Sequence, residues 1–140
     1  MFTAKNKVKS WLHLTTATLA MAIAFQPGAI AQSLSKKLSV LSEIENHSLP
    51  SKVNRDVRVD SAFSGPGKVY GYNYTLINYS AAQIDGTEFA RWLHPRIKAD
   101  FCQSYLVGFF RQHNVSMEVR IYDRNRSLVG RAKISPNKCR

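Results

Sequence analysis

The sequence has few cysteines and few acidic residues, and these shortages already exclude several kinds of protein. Two cysteines in 140 residues are too few for a disulfide-dense knot. A hydrophobic fraction of 44% is too high for a disordered chain. Only 9 acidic residues stand against 20 Lys and Arg, which gives a formal net charge of +11. We therefore expect a basic protein with room for one small folded domain.

Short motifs of catalysis and metal binding are also lacking. No Gly-rich phosphate loop follows a predicted strand, and no His-Glu-x-x-His or calcium-loop pattern occurs. His47, His94 and His113 stand in no recognised motif, and the acidic residues are scattered. We therefore predict no enzymatic activity, no metal and no cofactor. A small hydrolase remains a third hypothesis, because residues distant in sequence can meet in a cleft.

The first 31 residues have the three parts of a secretory signal peptide. They are a basic region, a mostly apolar stretch and a short segment of small residues, namely Lys5–Lys9, Leu12–Phe25 and Ala29–Ala31. We predict cleavage after Ala31, a signal peptide over residues 1–31 and a single α+β domain over residues 32–140. An uncleaved anchor is the alternative, but a spanning helix needs about 20 apolar residues and this stretch stops at Pro27. The predicted location is the periplasm or the exterior of a bacterium, with no membrane span after cleavage.

The two cysteines, Cys102 and Cys139, are expected to form a disulfide in an exported protein. Such a bond would close a loop of about 38 residues and stabilise the fold by roughly 4 kcal/mol in the chain-entropy account. A redox pair or a metal site is the alternative. A redox pair normally has two close cysteines, and a structural zinc needs four ligands.

Hydrophobic periodicity predicts two helices and four strands in the exported part. The helices are expected over residues 33–46 and from Asp85 to about residue 112, with Pro95 kinking or restarting the second one. The strands are expected over residues 56–64, 68–79, 115–123 and 128–135. The order α-β-β-α-β-β predicts an α+β fold, with an antiparallel four-stranded sheet under two helices on one face.

The second predicted strand carries Tyr70, Tyr72 and Tyr74 on one face. Aromatic side chains at a spacing of two residues can stack on sugars or bases. A core face whose hydroxyls reach the rim is the interpretation we favour, because a small domain needs the buried area.

Positive charge is concentrated in the last predicted hairpin. The candidate basic patch consists of Arg120, Arg124, Arg126, Arg131 and Lys133. It could attract anionic lipid or acidic polysaccharide. Alternatively, it is a solvated sheet face whose charges prevent edge-to-edge aggregation. We do not expect nucleic acid as a partner, because no binding module for it is recognisable.

The exported part resembles a group of small exported bacterial proteins of unknown function. The resemblance covers most of residues 34–140. It includes Asp56–Ser61 before a Gly-Pro-Gly turn, the strand segment Tyr72–Leu76, Ile84–Asp85, Cys102, and a last hairpin that ends in Ile134–Pro136 and Cys139. These are core, turn and cysteine positions, so the resemblance implies a fold and a disulfide but transfers no catalytic residue.

These observations favour a non-enzymatic exported envelope protein that acts as a protein-interaction or accessory module. Its expected partner is an envelope protein, and the chain itself is expected to be a monomer. The alternative is a cationic binder of envelope polyanions, either anionic lipid or polysaccharide, through the basic patch. The two hypotheses differ in salt dependence, since binding through exposed charges weakens steeply as salt rises.

Overall fold

The computed structural model describes residues 33–139, which form three helices and a five-stranded sheet. The predicted signal peptide and the cleavage after Ala31 lie outside the described residues. The helices are α1 (Leu34–Asn46), α2 (Gly86–Cys102) and α3 (Val107–His113). The strands are β1 (Ser51–Lys52), β2 (Val57–Gly65), β3 (Val69–Leu76), β4 (Ser116–Tyr122) and β5 (Leu128–Ile134). Short 3₁₀ turns follow β3 and β5, at Ala81–Gln83 and Pro136–Lys138.

The prediction of an antiparallel four-stranded sheet with two helices was wrong. The strands lie in the order β1-β2-β3-β4-β5, and β3 pairs with β4 in parallel while the other neighbours are antiparallel. The physical reason is the connection through α2 and α3. A helical crossover returns the chain to the end of the sheet where it started, so the strand after it runs parallel to the strand before it. The additional strand β1 has only two residues, which is too short for any periodicity to show.

The second predicted helix is two helices in the structure. Asp85 caps α2 by accepting from the backbone N–H groups of Thr87 and Glu88, as its position suggested. The helix then continues through Pro95 without restarting and ends at Cys102. In the turn before Pro95, the Arg96 guanidinium donates to the Trp92 carbonyl at 2.9 Å. The backbone bond that Pro95 cannot make would go to the Arg91 carbonyl, so this side-chain bond to the Trp92 carbonyl does not replace it.

The core lies on one face of the sheet, under the three helices. Leu38 of α1, Phe101 of α2 and Phe110 of α3 belong to one buried cluster with Tyr70 of β3 and Ile134 of β5. Helix α1 packs mainly on β2, and helix α2 packs mainly on β5. The helix-facing side of β3 and β4 therefore lies between the two longer helices.

The predicted disulfide is present and connects the end of α2 to the end of the chain. Cys102 and Cys139 are bonded, with their Cα atoms 5.2 Å apart. Cys139 is also held by its carbonyl, which accepts from the Arg111 guanidinium of α3 at 3.1 Å. The segment after β5 is thereby fixed to both α2 and α3.

The side chain of Asn46 covers part of the β2 edge. Its amide nitrogen donates to the Ala62 carbonyl at 2.9 Å, and its amide oxygen accepts from the Ala62 N–H at 2.7 Å. Ala62 is only 4% exposed, so both backbone groups need a partner. Asn46 therefore replaces a neighbouring strand at this residue, while β1 pairs with Arg58 and Val59 of the same edge.

Candidate functional site

Four tyrosines and one carboxylate gather on the helix-facing side of β3. The alternation of β3 places Tyr70, Tyr72 and Tyr74 on this side, and Tyr105 joins them from the link between α2 and α3. The Tyr70 ring is fully buried, and its hydroxyl donates to Glu45 of α1 at 2.8 Å. Neighbouring rings pack edge to face, with centroids 5.7 Å apart for Tyr70–Tyr72 and 6.4 Å apart for Tyr72–Tyr74. We call these four tyrosines and Glu45 the tyrosine cluster.

The electrostatics of the tyrosine cluster keep its hydroxyls protonated. Burial raises the pKa of Tyr70 and that of Tyr72 far above the usual value, and the Glu45 carboxylate raises both further. Burial, followed by the charges of Asp100 and Glu45, raises the pKa of Tyr74 to about 12. The pKa of Tyr105 is raised by burial and then by Glu45. At neutral pH the four hydroxyls are thus neutral, and those of Tyr70 and Tyr72 bond to the Glu45 carboxylate, which helps to hold α1 on β3.

Two exposed apolar side chains of α1 precede Glu45, and one member of the tyrosine cluster, Tyr105, is itself exposed. Ile44 is 60% exposed, Val40 lies one turn before it on α1, and Tyr105 is 56% exposed. The charge of Glu45 raises the pKa of Tyr105, so the α2–α3 link lies within electrostatic range of the end of α1. We call Val40, Ile44 and Tyr105 the apolar rim. Exposed apolar patches are a common feature of protein-binding surfaces.

The predicted basic patch is assembled around a buried carboxylate. The register places Arg120 of β4 opposite Arg131 of β5, and Glu118 opposite Lys133, all on the face away from the helices. Glu118 is 7% exposed and accepts from Arg120 at 2.6 Å, while the Arg131 guanidinium lies 3.6 Å away. Two of the five predicted residues are therefore paired with this buried acid.

The remaining residues of the basic patch are exposed. Arg124 and Arg126 lie in the β4–β5 turn, beyond the end of the sheet, and Lys133 lies on β5. The guanidinium of Arg120 lies over the Phe63 ring, 4.2 Å from its centroid. A cation over an aromatic face in this way is held in place and is less accessible to an anionic ligand. The sheet therefore brings Arg120, Arg131 and Lys133 together, but these three side chains differ in how accessible they are to an anionic ligand.

Gly71 makes room for the Phe63 ring on the same face. A Cβ atom at Gly71 would lie 2.0 Å from the Glu118 backbone oxygen and 2.7 Å from the Phe63 Cζ. Only glycine fits between these atoms. The Phe63 ring thus reaches across β3 toward Arg120 because residue 71 has no side chain.

Asp123 is the functional-looking residue that sequence reasoning missed. It is 2% exposed, and its carboxylate accepts from the backbone N–H groups of Ala81, Asn125 and Ser127 at 2.7–2.8 Å. These bonds, first the one from Ala81, lower the pKa of Asp123. Its partners show a structural role, since it joins the β4–β5 turn to the 3₁₀ turn after β3. An Asp at the start of a polar turn was the only sequence signal for it.

The histidines do not assemble into a site in the described part of the chain. His94 is exposed on α2, and His113 packs against Phe109 with ring centroids 4.6 Å apart. Within residues 33–139, no group of three His, Cys, Asp or Glu side chains is arranged to hold a metal ion. No helix in that range is both long and apolar enough to cross a membrane.

Comparison with known proteins finds the fold in proteins of Pseudomonas and Vibrio. No protein-family model and no curated protein matches the chain. A crystal structure of a Pseudomonas aeruginosa protein that is predicted to be secreted matches 78% of this chain and 99% of its own, with a TM-score of 0.64 and 12% identity. The EpsS pilotin of the Vibrio vulnificus type 2 secretion system matches 76% of this chain and 91% of its own, with a TM-score of 0.59 and 12% identity.

A second pilotin has a related structure. The AspS pilotin of the Vibrio cholerae type II secretion system matches 75% of this chain and 94% of its own, with a TM-score of 0.50 and 13% identity. At these identities the likeness establishes a shared fold. The described part of this chain thus shares its fold with the Pseudomonas protein and with the two pilotins, and it contains the Cys102–Cys139 disulfide.

Proposed function

We propose that this protein is a non-enzymatic accessory protein of the bacterial envelope that binds a partner protein through the apolar rim. Export to the periplasm or beyond is part of the proposal and depends on the predicted signal peptide. The observation that carries the proposal is the exposure of Ile44, which precedes Glu45 on α1, and of Tyr105, the exposed member of the tyrosine cluster. The fold that the chain shares with two type II secretion pilotins supports a role of this kind.

The chemistry of the tyrosine cluster favours binding over catalysis. A catalytic carboxylate needs access to a substrate, whereas Glu45 accepts from Tyr70 and Tyr72. Tyrosines with a raised pKa are poor nucleophiles at neutral pH. These side chains are better suited to hold α1 and the α2–α3 link in fixed positions. A partner that docks on the apolar rim would then meet a surface that is already ordered, which lowers the entropic cost of binding.

The polyanion alternative has weaker support, because Glu118 partly neutralises the basic patch from within the sheet. A polyanion would meet four exposed cations, namely Arg131 and Lys133 of β5 with Arg124 and Arg126 of the turn. It would have to compete with Glu118 for Arg120 and Arg131. The two hypotheses can be separated with the same preparation of the protein.

The experiment captures partners from envelope extracts with the protein and with an Ile44→Asp variant. Tyr79→Asp is the matched control, because Tyr79 is also an exposed apolar residue but lies in the loop after β3. We expect one envelope protein that is retained at about 0.5 M salt, where exposed charge pairs are screened. It should be lost with Ile44→Asp and kept with Tyr79→Asp.

A basic-patch variant, with Arg120, Arg131 and Lys133 reversed to Glu, completes the comparison. Retention of the same protein by this variant supports the proposal. Capture of lipid or polysaccharide at low salt only, and its loss in the basic-patch variant, would replace the proposal with the polyanion hypothesis. Equal capture by the Ile44→Asp and Tyr79→Asp variants would exclude the apolar rim as the binding surface.

A further inference from the structure

The two edges of the sheet differ in how their backbone groups are covered. At the β2 edge, β1 pairs with Arg58 and Val59, and the Val57 carbonyl accepts from the N–H of Val53 at 2.9 Å. Further along, the Asn46 amide pairs with Ala62. At the other edge, β5 is the last strand of the sheet, and within residues 33–139 it has a strand partner on one side only.

The open part of β5 alternates between buried and exposed residues. Ala132 and Ile134 are 2% exposed and face the helices. Arg131 and Lys133 lie on the opposite face and are exposed, and Arg131 keeps 56% of its side chain exposed while its guanidinium lies 3.6 Å from Glu118. Near the start of the strand, the first turn of α2 approaches the Val129 carbonyl. Residues 130–134 therefore form a short edge with an apolar side under α2 and a cationic side away from the helices.

An edge of this composition discriminates between possible occupants. A second copy of the chain that paired through β5 would place the Arg131 and Lys133 side chains beside those of its neighbour, and like charges across strands are destabilising. An extended segment with acidic residues two positions apart would instead place them beside Arg131 and Lys133. The overall excess of positive charge, +11 for the chain, would also draw an acidic segment to the protein.

We infer that the outer edge of β5 binds an extended acidic segment of a partner protein as a sixth strand. The main chain of the segment hydrogen-bonds to the open edge, and its acidic side chains pair with Arg131 and Lys133. Its intervening apolar side chains continue the helix-facing side of the sheet beside Ala132 and Ile134. This is strand addition, in which backbone bonds supply affinity and alternate side chains supply specificity. It uses a different surface from the apolar rim and stands independently of it.

The test uses a fluorescein-labelled peptide of about nine residues with alternating Glu and Val, and measures binding by fluorescence anisotropy. The variant that reverses Arg131 and Lys133 to Glu should bind about tenfold more weakly, because two attractive pairs become repulsive. The matched control reverses Arg124 and Arg126, which changes the net charge equally but lies in the turn rather than on the strand. This control should change affinity less than about threefold.

Two further peptides strengthen the test, and the first of them needs no protein variant. That peptide has the same sequence with an N-methyl group on every backbone nitrogen, so it lacks the backbone donors that a sixth strand needs, and it should not bind. A Lys and Val peptide should bind the variant with Arg131 and Lys133 reversed, but not the original protein. Equal binding of the N-methylated peptide, or equal weakening by the two charge reversals, would overturn the inference and show attraction by charge alone.

Discussion

Asn46 offers a sharp test of how the β2 edge is stabilised. In Asn46→Ala, the N–H and C=O of Ala62 both lose their partners, whose distances are 2.7 and 2.9 Å. Each hydrogen bond contributes about 1 kcal/mol net, so we expect a loss of about 2 kcal/mol in the free energy of unfolding. For a folded part of this size, that corresponds to a fall of roughly 10 °C in Tm.

Asn46→Asp separates the two bonds. At neutral pH the carboxylate still accepts from the Ala62 N–H, but its second oxygen faces the Ala62 carbonyl and repels it. Protonation converts that oxygen into a donor, so the folded state binds this proton more tightly than the unfolded state. The stability of Asn46→Asp relative to the original protein should therefore rise as the pH falls below about 5.

Urea unfolding followed by circular dichroism measures both effects. Asn78→Ala is the matched control, because the Asn78 amide also donates two hydrogen bonds, but to the Asp56 carboxylate and the carbonyl of exposed Arg55, so its loss leaves no buried backbone group without a partner. This control should change stability by less than about 0.5 kcal/mol. A similarly small change in Asn46→Ala, or a pH-independent difference for Asn46→Asp, would show that the amide does not act as a strand substitute.

Three other predictions concern stability. Gly71→Ala should lower the free energy of unfolding by about 3 kcal/mol or more, because the added Cβ would lie 2.0 Å from the Glu118 backbone oxygen. Gly108→Ala is the control, because a Cβ added there would have no atom within 4 Å. Urea unfolding should show that this control is neutral or stabilising. Replacing both cysteines by serine should cost up to about 4 kcal/mol, and reductant should lower the Tm of the original protein but not of this variant. Above about pH 10 the folded chain holds the protons of the buried tyrosines, whose pKa is raised, more tightly than the unfolded chain does. Stability should therefore fall as the pH rises further, and the fall measured by urea unfolding should be shallower in Glu45→Gln.

Local patterns predicted where most helices and strands lie, but not how the strands pair. The predicted strand over residues 56–64 is Val57–Gly65 in the structure, and the one over 128–135 is Leu128–Ile134. Hydrophobic periodicity shows which residues of an element face the core. Each of these strands has one face toward the core, so periodicity was able to locate it. Pairing depends on where a connection delivers the next strand. The helical crossover between β3 and β4 makes these two strands parallel. The prediction treated the four strands as two hairpins of one antiparallel sheet and so missed this pair.

The candidate site was predicted in part for the same reason. Alternation along β3 was enough to place its three tyrosines on the helix-facing side. The role of Glu45 depends on a contact 25 residues away along the chain, and that of Asn46 on one 16 residues away. No local pattern reports such contacts. Likewise, the charge count of the last hairpin could not show that Glu118 would be buried between two of its arginines.

One covalent bond links the two proposed binding surfaces. Cys102 is the last residue of α2, directly before the link that carries Tyr105. Cys139 directly follows the 3₁₀ turn after β5. The bond therefore limits the motion of the apolar rim and of the β5 edge together. Surfaces that are ordered before binding lose less entropy when a partner docks. Loss of the disulfide should for this reason weaken capture of the envelope partner and binding of the acidic peptide at once, whereas Ile44→Asp should affect only the first. Unchanged binding by a folded variant without cysteines would mean that packing alone orders both surfaces.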